Sequence, residues 1–316
     1  MKKIILILML AVVVCGFIAC DTASAVIDNY IYEKADSYTV GGGTVAQNSV
    51  NSIYISWVSG TVNIVGDANA TDITISEENV PQDDKLKLRY LVDGTVLKIR
   101  FMKSGANVLK SFAGKILTVT VPTNKEFTEI EVENVSADCK INNIKAVSAE
   151  VDNVSGKTEI MSCNIGKNGL SLGNVSGKIQ VTDCTIGNGG IEAENVSGNI
   201  IVNSNVSGEL DLQNVSGNIK FNGTANGEIV TDNVSGDTEL NLDSVPKSIE
   251  TESVSGDVLF DLANSTSGFK LTFETASGEL TSSVATRTES NVYYFGDESL
   301  KIDVEIDSGD LIVNIK

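Results

Sequence analysis

Residues 191–202, with the sequence Ile-Glu-Ala-Glu-Asn-Val-Ser-Gly-Asn-Ile-Ile-Val, determine the fold of this chain. Apolar and polar side chains alternate both before and after the tetrapeptide Asn-Val-Ser-Gly at 195–198. Alternation with a period of two is typical of a β-strand with one buried face. The alternation changes phase by one residue at the asparagine. We therefore predict two strands joined by a corner at this motif.

The tetrapeptide is repeated along the chain, with further copies beginning at Asn153, Asn174, Asn214 and Asn233. Variants continue the series at 134–137, 253–256, 275–278 and 306–309. Successive motifs end 19 to 22 residues apart, except for a final interval of 31 residues. A fixed period containing two strands predicts stacked coils. We predict an all-β, right-handed, single-chain parallel β-solenoid of 19–22-residue coils, because crossovers between parallel strands are right-handed.

Stacked coils would place the motif asparagines in one column. Neighbouring coils are about 4.8 Å apart, which allows side-chain amides to hydrogen-bond along the stack. We predict a structural ladder formed by Asn134, Asn153, Asn174, Asn195, Asn214 and Asn233.

The repeats also divide the chain into segments. We predict a signal peptide at 1–19, a lipidated cysteine and flexible tether at 20–48, an irregular N-terminal β cap at 49–130, and regular solenoid repeats at 131–316 with an insertion at 283–299. The insertion contains Tyr293, Tyr294 and Phe295. These rings either bind a partner or cover the apolar end of the solenoid.

The N-terminus has the layout of a secretory signal, with two lysines followed by a short apolar run. Phe17, Ile18, Ala19 and Cys20 resemble the lipobox of bacterial lipoproteins, which implies lipid attachment at Cys20. We expect a lipid-anchored, extracytoplasmic protein of the bacterial cell envelope. The alternative is ordinary cleavage near 23–25, which would release a secreted protein.

The composition excludes several functions. A net charge of −19 opposes binding to nucleic acid phosphates. The sequence contains no histidine, which excludes Ser-His-Asp and Cys-His catalysis and histidine-ligated zinc. We predict no catalytic residues, because the acidic residues recur with the coil whereas an active site needs a unique constellation.

Acidic residues precede and follow the corner in several coils. In the C-terminal coils these rows would flank the corner and repel each other, unless solvent or a divalent cation relieves the repulsion. The speculative calcium ligands are Asp232, Asp237, Glu252, Asp257, Glu274 and Glu279. No other cofactor is expected.

Two cysteines, Cys163 and Cys184, occupy equivalent positions in adjacent coils. Their separation permits a disulfide, but parallel Cβ vectors favour two buried thiols. Both alternatives stay open at this point.

Several motifs resemble a bacterial family of unknown function that is named for adhesins, similar in style to auto-transporter adhesin heads. They are Gly-Thr-Val-Asn-Ile at 60–64, Leu-Thr-Val-Thr-Val-Pro at 117–122, the serial Ser-Gly-x-apolar repeats, and Ser-Gly-Asp-Leu-Ile-Val at 308–313. The resemblance covers most of the chain after the signal. It implies a single β-helical domain at the cell envelope, without catalytic residues.

We therefore expect a cell-surface lipoprotein with a non-catalytic, adhesin-like binding module. Its ligand would be a glycan, a matrix component or another envelope protein. One alternative is an envelope scaffold or stress-sensing module without an external ligand. Another is a polysaccharide-active lyase or hydrolase, since parallel β-helices also carry such enzymes.

Overall fold

The computed structural model describes residues 30–106 and 114–316, and these residues are almost entirely β-structure. The prediction of an all-β fold is confirmed. Two 3-10 turns occur at Ala35–Ser37 and Gln47–Ser49. Within the described ranges, no helix has the length and hydrophobicity required to cross a membrane.

The strands, in chain order, are β1 Thr39–Val40, β2 Gly43–Val45, β3 Ser52–Asp67, β4 Ile73–Glu78, β5 Arg89–Asp93, β6 Val96–Arg100, β7 Ile116–Pro122, β8 Glu126–Asn142, β9 Lys145–Ser155, β10 Thr158–Met161, β11 Asn164–Ser176, β12 Ile179–Ile186, β13 Ile191–Ser197, β14 Ile200–Val206, β15 Leu210–Ser216, β16 Ile219–Gly223, β17 Glu228–Ser235, β18 Thr238–Leu242, β19 Ser248–Ser255, β20 Val258–Leu262, β21 Gly268–Ser277, β22 Leu280–Ser282, β23 Arg287–Glu289, β24 Val292–Gly296, β25 Leu300–Ser308 and β26 Leu311–Ile315.

The strands of the regular coils form two long faces and a short third row, in which 145–146, 164–165, 185–186 and 205–206 pair in succession. Face A contains the strands that lead into the motif, in the spatial order β8, β9, β11, β13, β15, β17 and β19. Face B contains the strands that follow it, in the order β8, β10, β12, β14, β16, β18 and β20. All these pairings are parallel and keep the motifs in register, as with Asn195 opposite Asn214.

The space between the two faces is filled by the apolar half of each alternating pattern. Leu210 and Leu212 on face A and Ile219 and Phe221 on face B are all fully buried. The inward residues of the other coils are similarly covered and form one continuous core. Because each coil contributes side chains to the same columns, every coil buries its apolar surface against its two neighbours.

The glycine of each motif forms the corner. In Gly217 the backbone has a φ of +129°, a conformation that favours glycine. A Cβ added there would lie 2.3 Å from the carbonyl oxygen of Gly198 in the preceding coil. The other motif glycines have similar φ values and contacts, except that Gly278 has the close contact without the positive φ, so both backbone conformation and close packing favour glycine at this position.

The terminal coils do not stack in chain order. At the C-terminal end, β25 pairs with both β19 and β21, so the last coil lies between two earlier ones. At the other end, β3 pairs with β8 and also with β6 and β7, which form the outer coil. This corrects the expectation that motif order along the chain is also motif order in space.

Antiparallel strands cover the outer coils. β4 pairs with β7, β5 with β6, and β24 with β21. Strands of opposite direction cannot extend a parallel stack of coils, so they protect the edges at which the stack would otherwise continue.

Part of the predicted tether belongs to this cap. β1 pairs with β5 and β2 pairs with β4, while Tyr30 and Tyr38 are buried. The expected flexible tether of 20–48 is therefore folded from Tyr30 onward, because its apolar side chains and backbone groups complete the cap. The signal peptide at 1–19 and Cys20 lie outside the described residues.

Candidate functional site

Acidic side chains cover the outer side of face A in two columns. Every second residue of a face A strand points outward, and register keeps equivalent residues together. The acidic members are Glu131, Glu133, Glu150, Asp152, Glu192, Glu194, Asp211, Asp232, Glu250, Glu252, Asp303, Glu305 and Glu274.

One coil interrupts both columns. β11 carries Ser171 between Glu150 and Glu192, and Gly173 between Asp152 and Glu194. The register of β11 against β9 also shifts between Ile165 and Gly169. Small side chains at this coil therefore leave a depression in an otherwise acidic surface.

This depression is a groove of about 500 Å³ that we call the acidic groove. Its floor includes Gly169, Ser171 and Gly189. The carboxylates that line it are Glu129, Glu150, Glu192, Glu209 and Asp211. No lysine or arginine of the described chain lines it. The groove is thus a concave surface whose charged lining residues are all acidic.

Asp152 and Glu194 flank Gly173 beside the groove. A Cβ at Gly173 would lie 2.4 Å from Oδ1 of Asp152, so the absence of a side chain makes room for this carboxylate. Burial raises the pKa of Asp152 above its usual range, and Glu150 and Glu133 raise it further. Burial also raises the pKa of Glu194, with added repulsion from neighbouring acids including Asp152. A cationic ligand would relieve this repulsion.

A family model described as Toastrack DUF4097 matches residues 50–314. The chain belongs to this family. The resemblance drawn from the sequence motifs to a bacterial family of unknown function is thereby confirmed.

Two solved structures share similarity with this Toastrack chain. One is titled a "putative cell adhesion protein" from Clostridium sporogenes, with 12% identity and a TM-score of 0.27, covering 88% of this chain and 100% of that chain. The other is titled a "putative adhesin" from Bacteroides fragilis, with 14% identity and a TM-score of 0.37, covering 87% and 97%. A search of curated proteins gives no match.

The asparagine ladder of this Toastrack chain differs from the predicted one. The motif asparagines are in register and buried, but their amides do not bond to one another. Instead, Nδ2 of Asn214 donates to the carbonyl oxygen of Gly198 at 3.0 Å. Nδ2 of Asn153, Asn174, Asn195 and Asn233 makes the equivalent bond. From Asn153 to Asn233 the column thus links side chain to backbone, whereas the amide of Asn134 makes no such bond.

The structure does not bring the speculative calcium ligands together. Because the last coil inserts between two others, Glu305 lies between Glu252 and Glu274. The Oδ1 atom of Asp237 accepts a hydrogen bond from the N–H of Asp257 at 3.1 Å, so this carboxylate already serves the backbone. Within the described ranges, no three His, Cys, Asp or Glu residues are placed to hold a metal ion.

These bonds belong to a second ladder just after the motif glycine. Oδ1 of Asn199 accepts from the N–H of Asn218 at 2.9 Å, and Oδ1 of Asn218 accepts from Asp237 at 3.0 Å. The series continues through Asp257 to Asp310 at 2.9 Å. An Asn or Asp side chain at the position after the motif glycine therefore accepts a hydrogen bond from the backbone of the next coil. Both residue types provide this acceptor, which explains why both occur there.

Cys163 and Cys184 are free and buried, so the thiol alternative describes the structure. The N–H of Cys163 donates to Sγ of Cys184 at 3.3 Å, and the N–H of Cys184 donates to Oγ of Ser204 at 3.0 Å. These side chains satisfy backbone donors at the corner between β10 and β11 and at its equivalent in the next coil.

The insertion at 283–299 forms a hairpin of β23 and β24 on the outer coil. Phe295 packs against Phe269 with ring centroids 5.5 Å apart, and Tyr293 also contacts the core. The guanidinium of Arg287 lies 4.2 Å from the ring centroid of Tyr294. Of the two alternatives, the structure shows rings that cover the end of the solenoid.

Proposed function

We propose that this chain is a non-catalytic binding module on the outer side of the bacterial cell envelope, and that the acidic groove binds an extended basic segment of another protein. Lipid at Cys20 would hold the module at the membrane, and the solenoid would be right-handed. The observation that carries the proposal is the acidic groove itself, a concavity lined by carboxylates without a basic side chain among its described lining residues.

The dimensions favour a single extended chain. Glu150 and Glu192 are two coil steps apart, which corresponds to roughly 10 Å along the groove. The groove crosses the strands, because its lining extends over five coils from Glu129 to Asp211, so an extended peptide could lie along it beside successive carboxylates. Lysine and arginine side chains would then approach carboxylates on both sides, and the small floor residues would leave room for the backbone.

We assign no catalytic role to the face A acids. The sequence has no histidine, and the acids of face A recur from coil to coil. Repeated carboxylates suit attraction of a charged polymer better than they suit a single reaction centre. The two other candidate functions, an envelope scaffold or sensor and a polysaccharide-active enzyme, remain outcomes of the test.

The test compares two double variants with the same change in net charge. Glu150→Gln with Glu192→Gln neutralises two carboxylates that line the groove, whereas Glu274→Gln with Glu305→Gln neutralises neighbouring acids of face A outside it. Binding of a basic peptide such as oligolysine is measured by calorimetry. Loss of two contacts of about 0.7 kcal/mol each weakens binding about tenfold.

We expect that tenfold loss for the groove variant and a change below about twofold for the control. An equal loss of peptide affinity in both variants would indicate general attraction to an acidic surface and would refute the groove as the binding site. Absence of binding would favour the scaffold or sensor. Tighter binding of a glycan than of the basic peptide would indicate that the ligand is a polysaccharide. Release of cleaved products from that glycan would establish an enzyme.

The anchor is tested separately. Mass analysis of the N-terminal peptide should show a diacylglyceryl thioether on Cys20, and Cys20→Ala should release the protein from membranes. An unmodified mature N-terminus beyond residue 20 would instead establish the secreted alternative.

A further inference from the structure

A lysine and a glutamate are buried together in the N-terminal cap. The side chains of Lys115 and Glu77 are 0% and 2% exposed, and Nζ lies 2.5 Å from Oε1. Nζ also donates to the carbonyl oxygens of Leu86, at 2.8 Å, and Phe101. The ring centroids of Trp57 and Phe101 lie 4.9 and 4.1 Å from Nζ. Aromatic surface therefore shields this pair from water.

Burial makes the charged form of the pair costly. Removing an ammonium and a carboxylate from water carries a large desolvation penalty that their attraction only partly offsets. Burial lowers the pKa of Lys115 to about 8, although Glu77 opposes the shift. A proton moved from Nζ to the carboxylate gives a neutral amine and a carboxylic acid, the forms that react with each other.

We propose that Nζ of Lys115 condenses with the carboxyl group of Glu77 to form an intramolecular amide. A bond forms between Nζ and Cδ, and the bond between Cδ and Oε1 breaks. Oε1 leaves as water with two of the three ammonium protons, and the third proton remains on the amide nitrogen. No electrons are transferred, and no co-reactant is required.

The surrounding backbone suits this reaction. The N–H of Leu88 donates to Oε2 of Glu77 at 3.1 Å, so it would hold the oxygen that becomes the amide carbonyl and stabilise negative charge on it during attack. The carbonyls of Leu86 and Phe101 orient the amine. Fixed proximity replaces a bimolecular encounter, and exclusion of water opposes hydrolysis of the product.

The amide would fasten the cap covalently. Glu77 pairs with Leu117 in the antiparallel ladder of β4 and β7, so the bond would join two strands that are already neighbours. These strands lie at the end of the solenoid nearest the N-terminus. A covalent link there would resist peeling of the cap. This inference does not depend on the ligand of the acidic groove.

The test is a peptide map of the purified full chain, folded and then digested with trypsin. We expect peptides 35–85 and 111–125 to be joined, with a mass lower than their sum by one water, ~18 Da. Trypsin does not cleave after an acylated lysine, so cleavage after Lys115 should also be lost. Separate, unmodified peptides from the folded protein would overturn the proposal.

The same map contains its own control. Lys98 and Asp93 form an ion pair at 2.7 Å, but their side chains are 32% and 25% exposed. They should remain unlinked, and linkage there would overturn the role assigned to burial. Lys115→Arg keeps the positive charge without a nucleophilic amine and should yield the 35–85 peptide unmodified. If that variant does not fold, the map of the unaltered chain still decides the question.

Discussion

Replacing a corner glycine by alanine tests the stacking mechanism most directly. In Gly217→Ala the new Cβ would lie 2.3 Å from the carbonyl oxygen of Gly198, and the residue would keep a φ of +129°. The backbone strain costs about 1 to 3 kcal/mol. Relief of the overlap requires the two coils to move apart at the corner. The N–H of Gly217 donates to Ser235 at 2.9 Å and would be disturbed.

Weakening that bond adds about 1 to 2 kcal/mol, so the total loss of unfolding free energy should be about 2 to 5 kcal/mol. Gly94→Ala provides the control. Gly94 has a φ of +64°, but nothing lies within 4 Å of an added Cβ. This variant should lose only about 1 kcal/mol from backbone strain. The difference between the two variants isolates the contact between coils.

Urea unfolding gives the overall change, and hydrogen exchange locates it. In a solenoid each coil is stabilised mainly by its neighbours, so exchange should accelerate in the coils around Gly217 and much less in the N-terminal cap. The reasoning fails if Gly217→Ala costs no more than Gly94→Ala. It also fails if accelerated exchange is spread evenly over the described chain.

Three further predictions concern face A, the thiols and the last coil. Because the pKa of Asp152 is raised in the folded state, the fold binds more protons than the unfolded chain as the pH falls toward the ordinary pKa of an aspartate. The thermal midpoint should therefore rise as the pH is lowered from 7 to about 4, and Asp152→Asn should reduce this rise. Burial raises the pKa of Cys139 to about 12, so this thiol should resist a maleimide in the native protein and react after unfolding. Deletion of 300–316 removes a coil from between two others, so the backbone amides of β19–β22 should lose protection from hydrogen exchange. Adding the deleted segment as a separate peptide should restore this protection. A pH-independent midpoint, rapid native labelling or unchanged protection would contradict these predictions in turn.

The repeated part of the fold was predictable because its signal is local. Alternation identifies the strands, and the fixed motif identifies the corner, as in residues 191–202. The acidic groove was also visible in principle, since Leu-Ser-Leu-Gly at 170–173 carries small residues where Glu150 and Asp152 occur in the previous coil. The columns of acidic residues predict a negative charge on face A, but only their interruption at 171 and 173 indicates a groove.

The hydrogen-bond partners of the asparagines required the structure. Spacing places Asn195 and Asn214 in one column, but it does not specify side-chain rotation. At the corner, the carbonyl of Gly198 is brought toward the amide of Asn214 by the positive φ of the glycine. A backbone acceptor fixed in this way competes successfully with a neighbouring amide, whose own orientation is free.

The buried pair in the cap gave no signal in the sequence. Glu77 and Lys115 are far apart in the chain and belong to segments without the repeated motif. Their contact depends on the antiparallel pairing of β4 with β7. Alternation in these segments predicts strands of a cap, but it does not specify their register.

The order of the terminal coils follows from the need to close both ends of the stack. An antiparallel strand must be joined to the outer coil by a nearby turn, as β24 is joined to β21 through the hairpin at 283–299. At the C-terminal end the chain therefore builds the outer coil and its cover first, then returns to fill the inner position with β25 and β26. At the N-terminal end it lays down the inner strand β3 first, then the cap and the outer coil, and resumes stacking with β8. Both ends thus enclose a parallel coil between partners that are distant in sequence, so peeling either cap must break long-range pairings on both sides of that coil.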